Sequence, residues 1–352
     1  QYTIEGVKLL NVANQVDGEI DLSTSTRFIS TEEAYGKYRH FLVDEGDFII
    51  ASSGIKVEYF EKKMGFVKKQ QLPLCMNTST IRFKILNPAE YDIRYFMFFL
   101  KSNAFKNQLS RQITGSAQLN FGPSHLRKMS VPATPIVEQR NIVAVLDKLT
   151  SIIKLSKKII SLLDQLVKSQ FIEMFGDPIT NAKLWPTDTV ERVCERIYGG
   201  GTPSKSRPEF YDGQIPWVTP KDMKTTTIVD SVDHITEDAI KCSATNIVPK
   251  GAVLMVIRSG ILKHTLPVAL SGNIVTINQD MKAFVVRKEI INAAFLLHYF
   301  QAIEKDVLSE VRGVTADNID FKAFVKRKVI LPPIDLQNQF AAFVEQTDKS
   351  KI

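Results

Sequence analysis

A chain of 352 residues, 44% of them hydrophobic, is too long for one ordinary core, so two domains with helical connectors are the expected partition. Its 45 Lys plus Arg against 38 Asp plus Glu leave a net charge of +7, which favours a nucleic acid or another anionic surface as partner without establishing one. Cys75, Cys194 and Cys242 lie far apart with no Cys-x-x-Cys spacing, which argues against a disulfide framework and a structural zinc site. No window approaches the ~18 uninterrupted apolar residues of a membrane span, and no signal peptide opens the chain; a soluble, cytoplasmic protein is expected. Gln1 stands where an initiator Met would, so the sequence reads as a fragment or as lacking a few leading residues.

In chain order, Phe48-Ile49-Ile50-Ala51 follows the turn Glu45-Gly46-Asp47 and predicts a strand, and residues 80–85 alternate with period two. An amphipathic helix is expected over 93–109, carrying Tyr95, Phe96, Phe98, Phe99, Leu100 and Phe105, all assigned to the core. From Ile136 to Phe175 no Pro or Gly intervenes, and Gly176-Asp177-Pro178 supplies a stop. Apolar residues recur there in steps of four and three through Ile142, Leu146, Leu149, Ile153, Ile160, Leu163, Val167 and Met174, a heptad seam. A helix of that length cannot bury its stripe against itself, so these positions are expected to meet a partner helix or another protein surface. Lys148, Lys154, Lys157, Lys158 and Lys168 read as its solvated flank.

Gly199-Gly200-Gly201-Thr202-Pro203-Ser204-Lys205 is either a plain turn or a phosphate cradle of backbone N–H groups; it lacks the Gly-Lys-Ser/Thr ending of a nucleotide loop. Residues 210–217 read as a structural anchor around Trp217. Strands over 252–257 and 283–286 then precede a helix around 293–307. A last helix begins at Pro333 and runs through Phe340, Phe343 and Val344, but the sequence stops at Ile352 after about four turns. That brevity points to a truncated chain or to one completed by a partner.

Much of this order occurs twice. Pro135-Ile136-Val137-Glu138-Gln139-Arg140-Asn141-Ile142 returns as Pro333-Ile334-Asp335-Leu336-Gln337-Asn338-Gln339-Phe340, each after an apolar run ending in proline. The segments 46–55 and 251–261 echo one another, as do 111–120 and 311–319 more loosely. Markers in the same order imply two homologous units. The expected fold class is α/β (α+β), two repeated mixed-sheet units joined by a long coiled-coil helix. The expected boundaries are 1–134 for the first unit, 135–178 for the helix, 179–332 for the second unit and 333–352 for the start of a second helix.

The segments Ser52-Ser53-Gly54-Ile55-Lys56 and Arg258-Ser259-Gly260-Ile261-Leu262-Lys263-His264 place small polar and basic residues at strand ends, where loops present contacts from a rigid scaffold. Arg and Lys suit guanine, Asn and Gln suit adenine, and Ser serves bases or phosphate. Candidate DNA contacts are therefore Ser53, Lys56, Gln118 and Asn120 in the first unit, and Lys205, Lys221, Arg258, Lys263, Arg312 and Asn318 in the second.

The Pro-x-x-Glu-Gln start of a long helix ending Ser169-Gln170-Phe171-Ile172-Glu173-Met174-Phe175-Gly176, between two variable units, resembles the specificity subunit of type I restriction-modification enzymes. The Gly-Gly-Thr-Pro-Ser run with Ile215-Pro216-Trp217-Val218 downstream is similar to its target-recognition domains. The resemblance covers essentially the whole chain. It implies that each unit reads one half of a split site on double-stranded DNA, and that helix length sets the spacer between halves about one turn, near 34 Å, apart. It also implies that the helices after Pro135 and Pro333 pair as an antiparallel coiled coil and bind methyltransferase subunits, which with restriction subunits complete the complex. The short second helix departs from that pattern and leaves open a homodimer through the central helix.

Two other classes compete. One is a coiled-coil assembly scaffold without DNA contact. The other is a stand-alone methyltransferase or nuclease, but Asn87-Pro88-Ala89-Glu90 is not the Asn/Asp-Pro-Pro-aromatic motif of amino methylation, and no Gly-rich loop offers a methyl-donor pocket. No catalytic residue, metal or cofactor is assigned.

Overall fold

The computed structural model describes residues 2–23, 25–112, 119–311 and 317–351. It divides into two compact units, 1–154 and 155–352, and the 40-residue helix Ile136–Phe175 contributes to both.

In the first unit one small sheet has the order Phe28–Ile29, Val7–Leu10, Leu74–Met76, the last pair parallel. A second, antiparallel sheet centres on Phe48–Ala51, between Met64–Phe66 and Thr80–Phe83. In the second unit the strand Val253–Val256 takes the corresponding central place, beside Met281–Val286, in a five-stranded sheet. A four-stranded sheet runs His234–Ile235, Ile215–Val218, Val275–Ile277, Ile247–Val248, with its middle pair parallel. All four residues of Phe48–Ala51 and of Val253–Val256 are buried. An unbroken apolar run is what a strand covered on both faces requires. Each is preceded by a glycine with positive φ, Gly46 at 82° and Gly251 at 86°, so the repeated glycine marks a turn into the strand that L side chains resist.

Each unit then carries two helices where the pattern predicts one. The segment expected as a helix over 93–109 is Ile93–Lys101 followed by Asn103–Gln112. Ser102 is extended; its hydroxyl donates to the Phe99 carbonyl at 2.7 Å and accepts the Phe105 amide at 3.3 Å, ending one helix and capping the next. The counterpart expected over 293–307 is Ala293–Ala302 and Glu304–Ser309, divided at the buried Ile303. The aromatic residues of the first pair are core as expected: Phe99 and Phe105 are buried and pack with Phe60.

The repeated Pro-x-x-x-Gln has a physical cause. Gln139 and Gln337 are both 0% exposed. The Gln139 amide accepts the backbone N–H of Asp92 at 2.9 Å and donates to the carbonyls of Glu90 and Thr134 at 2.8 and 2.7 Å. Gln337 accepts the N–H of Asn292 at 2.9 Å and donates to Ile290 and Pro332 at 3.2 and 2.8 Å. Asp92 and Asn292 are themselves the N-caps of the preceding helices. In each unit one buried amide ties the start of a helix to the proline-containing segment just before it and to the cap of the preceding helix. A buried amide is tolerated only when its donors and acceptor are satisfied this way.

The last third of the long helix belongs to the core of the second unit through Val167, Phe171 and Phe175. The helix Ile334–Lys349 lies against it and runs antiparallel: Phe340 is 5.5 Å from the rings of both Phe171 and Phe175, while Lys351 reaches Asp164 at 2.7 Å. Residues 148–162 of the long helix are all exposed.

Candidate nucleic-acid interface

In both units a pair of the polar candidates lies where the central strand ends. In the first, Phe48–Ala51 gives way to Ser53–Ile55, which pairs antiparallel with Leu119–Asn120 so that Ser53 stands opposite Asn120. In the second, Arg258 follows Val253–Val256 and forms an isolated antiparallel bridge with Asn318. Residues 67 and 60 positions apart in sequence thus meet at the corresponding place in each unit, which is where contacts from a rigid scaffold are expected. Lys56 is exposed beside this edge and ion-paired to Glu58 at 3.6 Å. Gln118 and Arg312 lie outside the described residues.

The second unit shows more of the surroundings. Arg258 Nε and Nη2 both lie 2.6 Å from Asp280 Oδ1. Asp280 sits in the turn between Val275–Ile277 and Met281–Val286, its N–H donating to Asn278 Oδ1 and its Oδ2 accepting from Asn278 Nδ2, both at 3.1 Å. Lys263 is 3.9 Å from Asp317, next to Asn318. Beside Asn318 a cleft of about 810 Å³ is lined by Lys282, Phe321 and Lys322. The structure therefore brings Arg258, Lys263 and Asn318 together. Asp280 carries no signal in the sequence, because Asn278-Gln279-Asp280 between two apolar runs has the composition of an ordinary turn.

Lys221 stands apart from that cluster. Its ammonium is 2.6 Å from Asp233, and that hydrogen bond holds it above the usual lysine range. Lys205 is exposed in the Gly-rich loop, whose Thr202 hydroxyl contacts Gln279. The glycines answer to packing. A Cβ on Gly200 would meet the Asn278 carbonyl oxygen at 1.8 Å, and one on Gly201 would meet Thr245 N at 2.6 Å. The Gly201 N–H is already donated to Ile277, and its carbonyl accepts the Trp217 indole N–H at 3.1 Å. Tyr211 stacks edge-on against Trp217 and donates to the Pro203 carbonyl at 2.6 Å. The run is thus a close backbone approach locked by Trp217, as the anchor reading of that tryptophan expects.

Among the described residues no group of three or more His, Cys, Asp or Glu is placed to hold a metal ion, and no helix is long and apolar enough to cross a membrane. Burial pushes the Cys75 thiol up to about 11 and the Cys194 thiol up to about 12, which keeps both protonated and unreactive.

The heptad positions divide along the long helix. Val167 is buried, and Ile142, Leu146, Leu163 and Met174 are half-buried. Leu149, Ile153 and Ile160 are exposed, as are Ile152, Leu155 and Ile159 around them.

A family model described as type I restriction modification DNA specificity domain matches residues 9–165 and again 183–352. The chain belongs to that family. Within it, the specificity subunit of the type I restriction enzyme EcoR124I/EcoR124II of Escherichia coli is 37% identical over 154 residues, 43% of this chain and 38% of that protein. The MjaIX specificity subunit of Methanocaldococcus jannaschii is 31% identical over 135 residues, 37% of this chain and 30% of that protein. The aligned stretches thus span about a third of the length of these relatives. The solved S subunit of a type I restriction-modification system from M. genitalium shares the fold, with a TM-score of 0.58 at 15% identity, over 99% of this chain and 84% of that one.

Proposed function

We propose that this type I specificity-domain protein is a non-catalytic, cytoplasmic specificity subunit that reads a bipartite site on double-stranded DNA, one half per unit. The observation that carries the reading is the duplicated strand end, Ser53 opposite Asn120 and Arg258 opposite Asn318, with different side chains on one backbone plan. Two readers of different sequences require that combination. Lys56, Lys205, Lys221 and Lys263, with Gln118 and Arg312, supply further base and phosphate contacts in this reading. Phosphate contacts set register and salt-sensitive affinity, and a few base contacts set choice. The helix Ile136–Phe175, about 60 Å long at 1.5 Å per residue, is the element whose length becomes the spacer. The domain limits 1–134, 135–178, 179–332 and 333–352 assign it that place.

Methyltransferase subunits, and through them restriction subunits, are the partners this reading requires, and the exposed apolar stripe over 148–162 supports one. The stripe equally suits a second copy of the chain; sedimentation as a monomer at micromolar concentration would dispose of the homodimer. The function itself is tested by methylome sequencing of cells carrying the chain with methyltransferase subunits. The expected result is a methylated motif in two parts with a fixed gap. A continuous motif would overturn the one-half-per-unit reading, and no binding of the purified chain to random duplex even at low salt would favour the assembly scaffold instead.

A further inference from the structure

We propose that Asp280 is a positioning residue that presents Arg258 to a guanine of the second half-site, and that Asn318 reads the neighbouring adenine; this rests on the DNA-reading function above. The main chain of Arg258 is fixed to the turn that carries Asp280, since the N–H groups of Ile257 and Arg258 both donate to the Asp280 carbonyl, at 2.8 and 3.2 Å. The carboxylate is in turn held by Asn278 at 3.1 Å, so it cannot swing away with the arginine. A guanidinium has two edges able to form paired hydrogen bonds. Asp280 occupies the Nε and Nη2 side edge at 2.6 Å. Among the described residues the Nη1 end of the fork has no partner, and that end edge is the one that matches O6 and N7 of guanine. Arg258 remains 48% exposed while Asp280 is 23% exposed, so the pair presents its cation outward and keeps its anion behind.

An exposed ion pair of this kind contributes little to folding. Its value to a reader is entropic: a long side chain held in one rotamer loses less freedom when it docks. Asn318 extends the argument by one base pair. Residues directly opposite on an antiparallel bridge send their side chains to the same face with Cβ atoms about 5 Å apart. Base pairs are about 3.4 Å apart along the duplex, so side chains at that separation can reach adjacent steps. Asn is the partner of adenine N6 and N7 as Arg is of guanine.

The test selects duplexes from a randomised library with the full chain purified from cells that also express methyltransferase subunits, then sequences what is retained. The wild type should select guanine next to adenine in one half-site. Asp280→Asn should keep the adenine and the other half-site but lower the guanine preference roughly tenfold, and Arg258→Lys should do the same because an ammonium lacks the fork. Asn318→Ala should lose only the adenine. A guanine preference unchanged in Asp280→Asn but lost in Arg258→Lys overturns the positioning role of Asp280, and one unchanged in both, with the bipartite motif intact, overturns the whole assignment and leaves the DNA reading standing. A wild type that selects no sequence overturns both. Should Asp280→Asn fail to fold, Asp280→Glu, which keeps the charge but displaces the carboxylate from the arginine, takes its place and should lower the guanine preference in the same way.

Discussion

The two halves of the long helix are held to their units by different chemistry. In the first unit the helix is gripped by polar groups: the Gln139 clamp, Arg94 to Asp147 at 2.7 Å and Lys154 to Glu19 at 3.3 Å, with Val143 as its buried apolar residue. In the second it is gripped by aromatic rings, Phe171 and Phe175 against Phe295 and Phe340, with His298 edge-on to Phe340 at 5.3 Å. Aromatic burial is indifferent to salt, whereas exposed ion pairs weaken with it. One helix is therefore a core element at one end and a docked rod at the other.

The largest effect expected from that contrast is at Phe175, which is 0% exposed. Phe175→Ala should cost about 3 to 5 kcal/mol in urea unfolding of the second unit; a cost under about 1 kcal/mol would mean the aromatic end is not a core. Next is acid. Burial pushes His298 down to about 4 from its ordinary 6.5, so the unfolded chain takes up the proton before the folded one does. Its contribution is complete above the ordinary value and is lost as pH falls toward 4, by up to about 3 kcal/mol. His298→Leu should flatten the stability profile over that window, and an unaltered slope would remove this histidine from the account.

The glutamine clamps sharpen the comparison because they are the same device in both surroundings. Gln139→Ala and Gln337→Ala should each cost about 2 kcal/mol, since each strands buried backbone groups. Unequal losses would show that the aromatic neighbours, not the clamp, hold the second helix. The smallest effect belongs to the ion pairs. Glu19 is held below the usual carboxylate range by its hydrogen bond to Lys68 and then by Lys154. That contribution is present above the ordinary glutamate value and is lost as pH falls through the lowered one. Removing Glu19 and Asp147 together should cost less than about 1 kcal/mol, and the difference should vanish at 1 M salt; persistence at high salt would contradict a screened contact.

Much of the architecture is legible in the amino-acid order. The helix from Ile136 to Phe175 is found at the residues its uninterrupted periodicity and its Gly176-Asp177-Pro178 stop indicate. The central strands are found at the apolar runs after Gly46 and Gly251. The helix breaks at Ser102 and Ile303 are not legible, because both residues fit an amphipathic pattern and only their local hydrogen bonding and burial end the turn. Of the interface, Arg258 and Asn318 are visible as suitable residue types, but their adjacency and the Asp280 carboxylate behind them are not. Side-chain chemistry is written residue by residue, while convergence depends on which strand ends share an edge.

Periodicity and repeated markers were enough to determine two homologous units and a long helix with an apolar stripe, and the motifs at the ends of that helix and around Gly199 carried the resemblance to the family whose model matches the chain. Those are local or repeating features, decided by backbone propensity and by which faces water must not reach. The tertiary structure alone decided that a repeated glutamine is a buried three-way clamp, that a glycine run is a close packing joint, and that part of the heptad seam is consumed within one unit while 148–162 stays uncovered. Each of these depends on partners far away in the chain, and no pattern read along the sequence specifies distance in space.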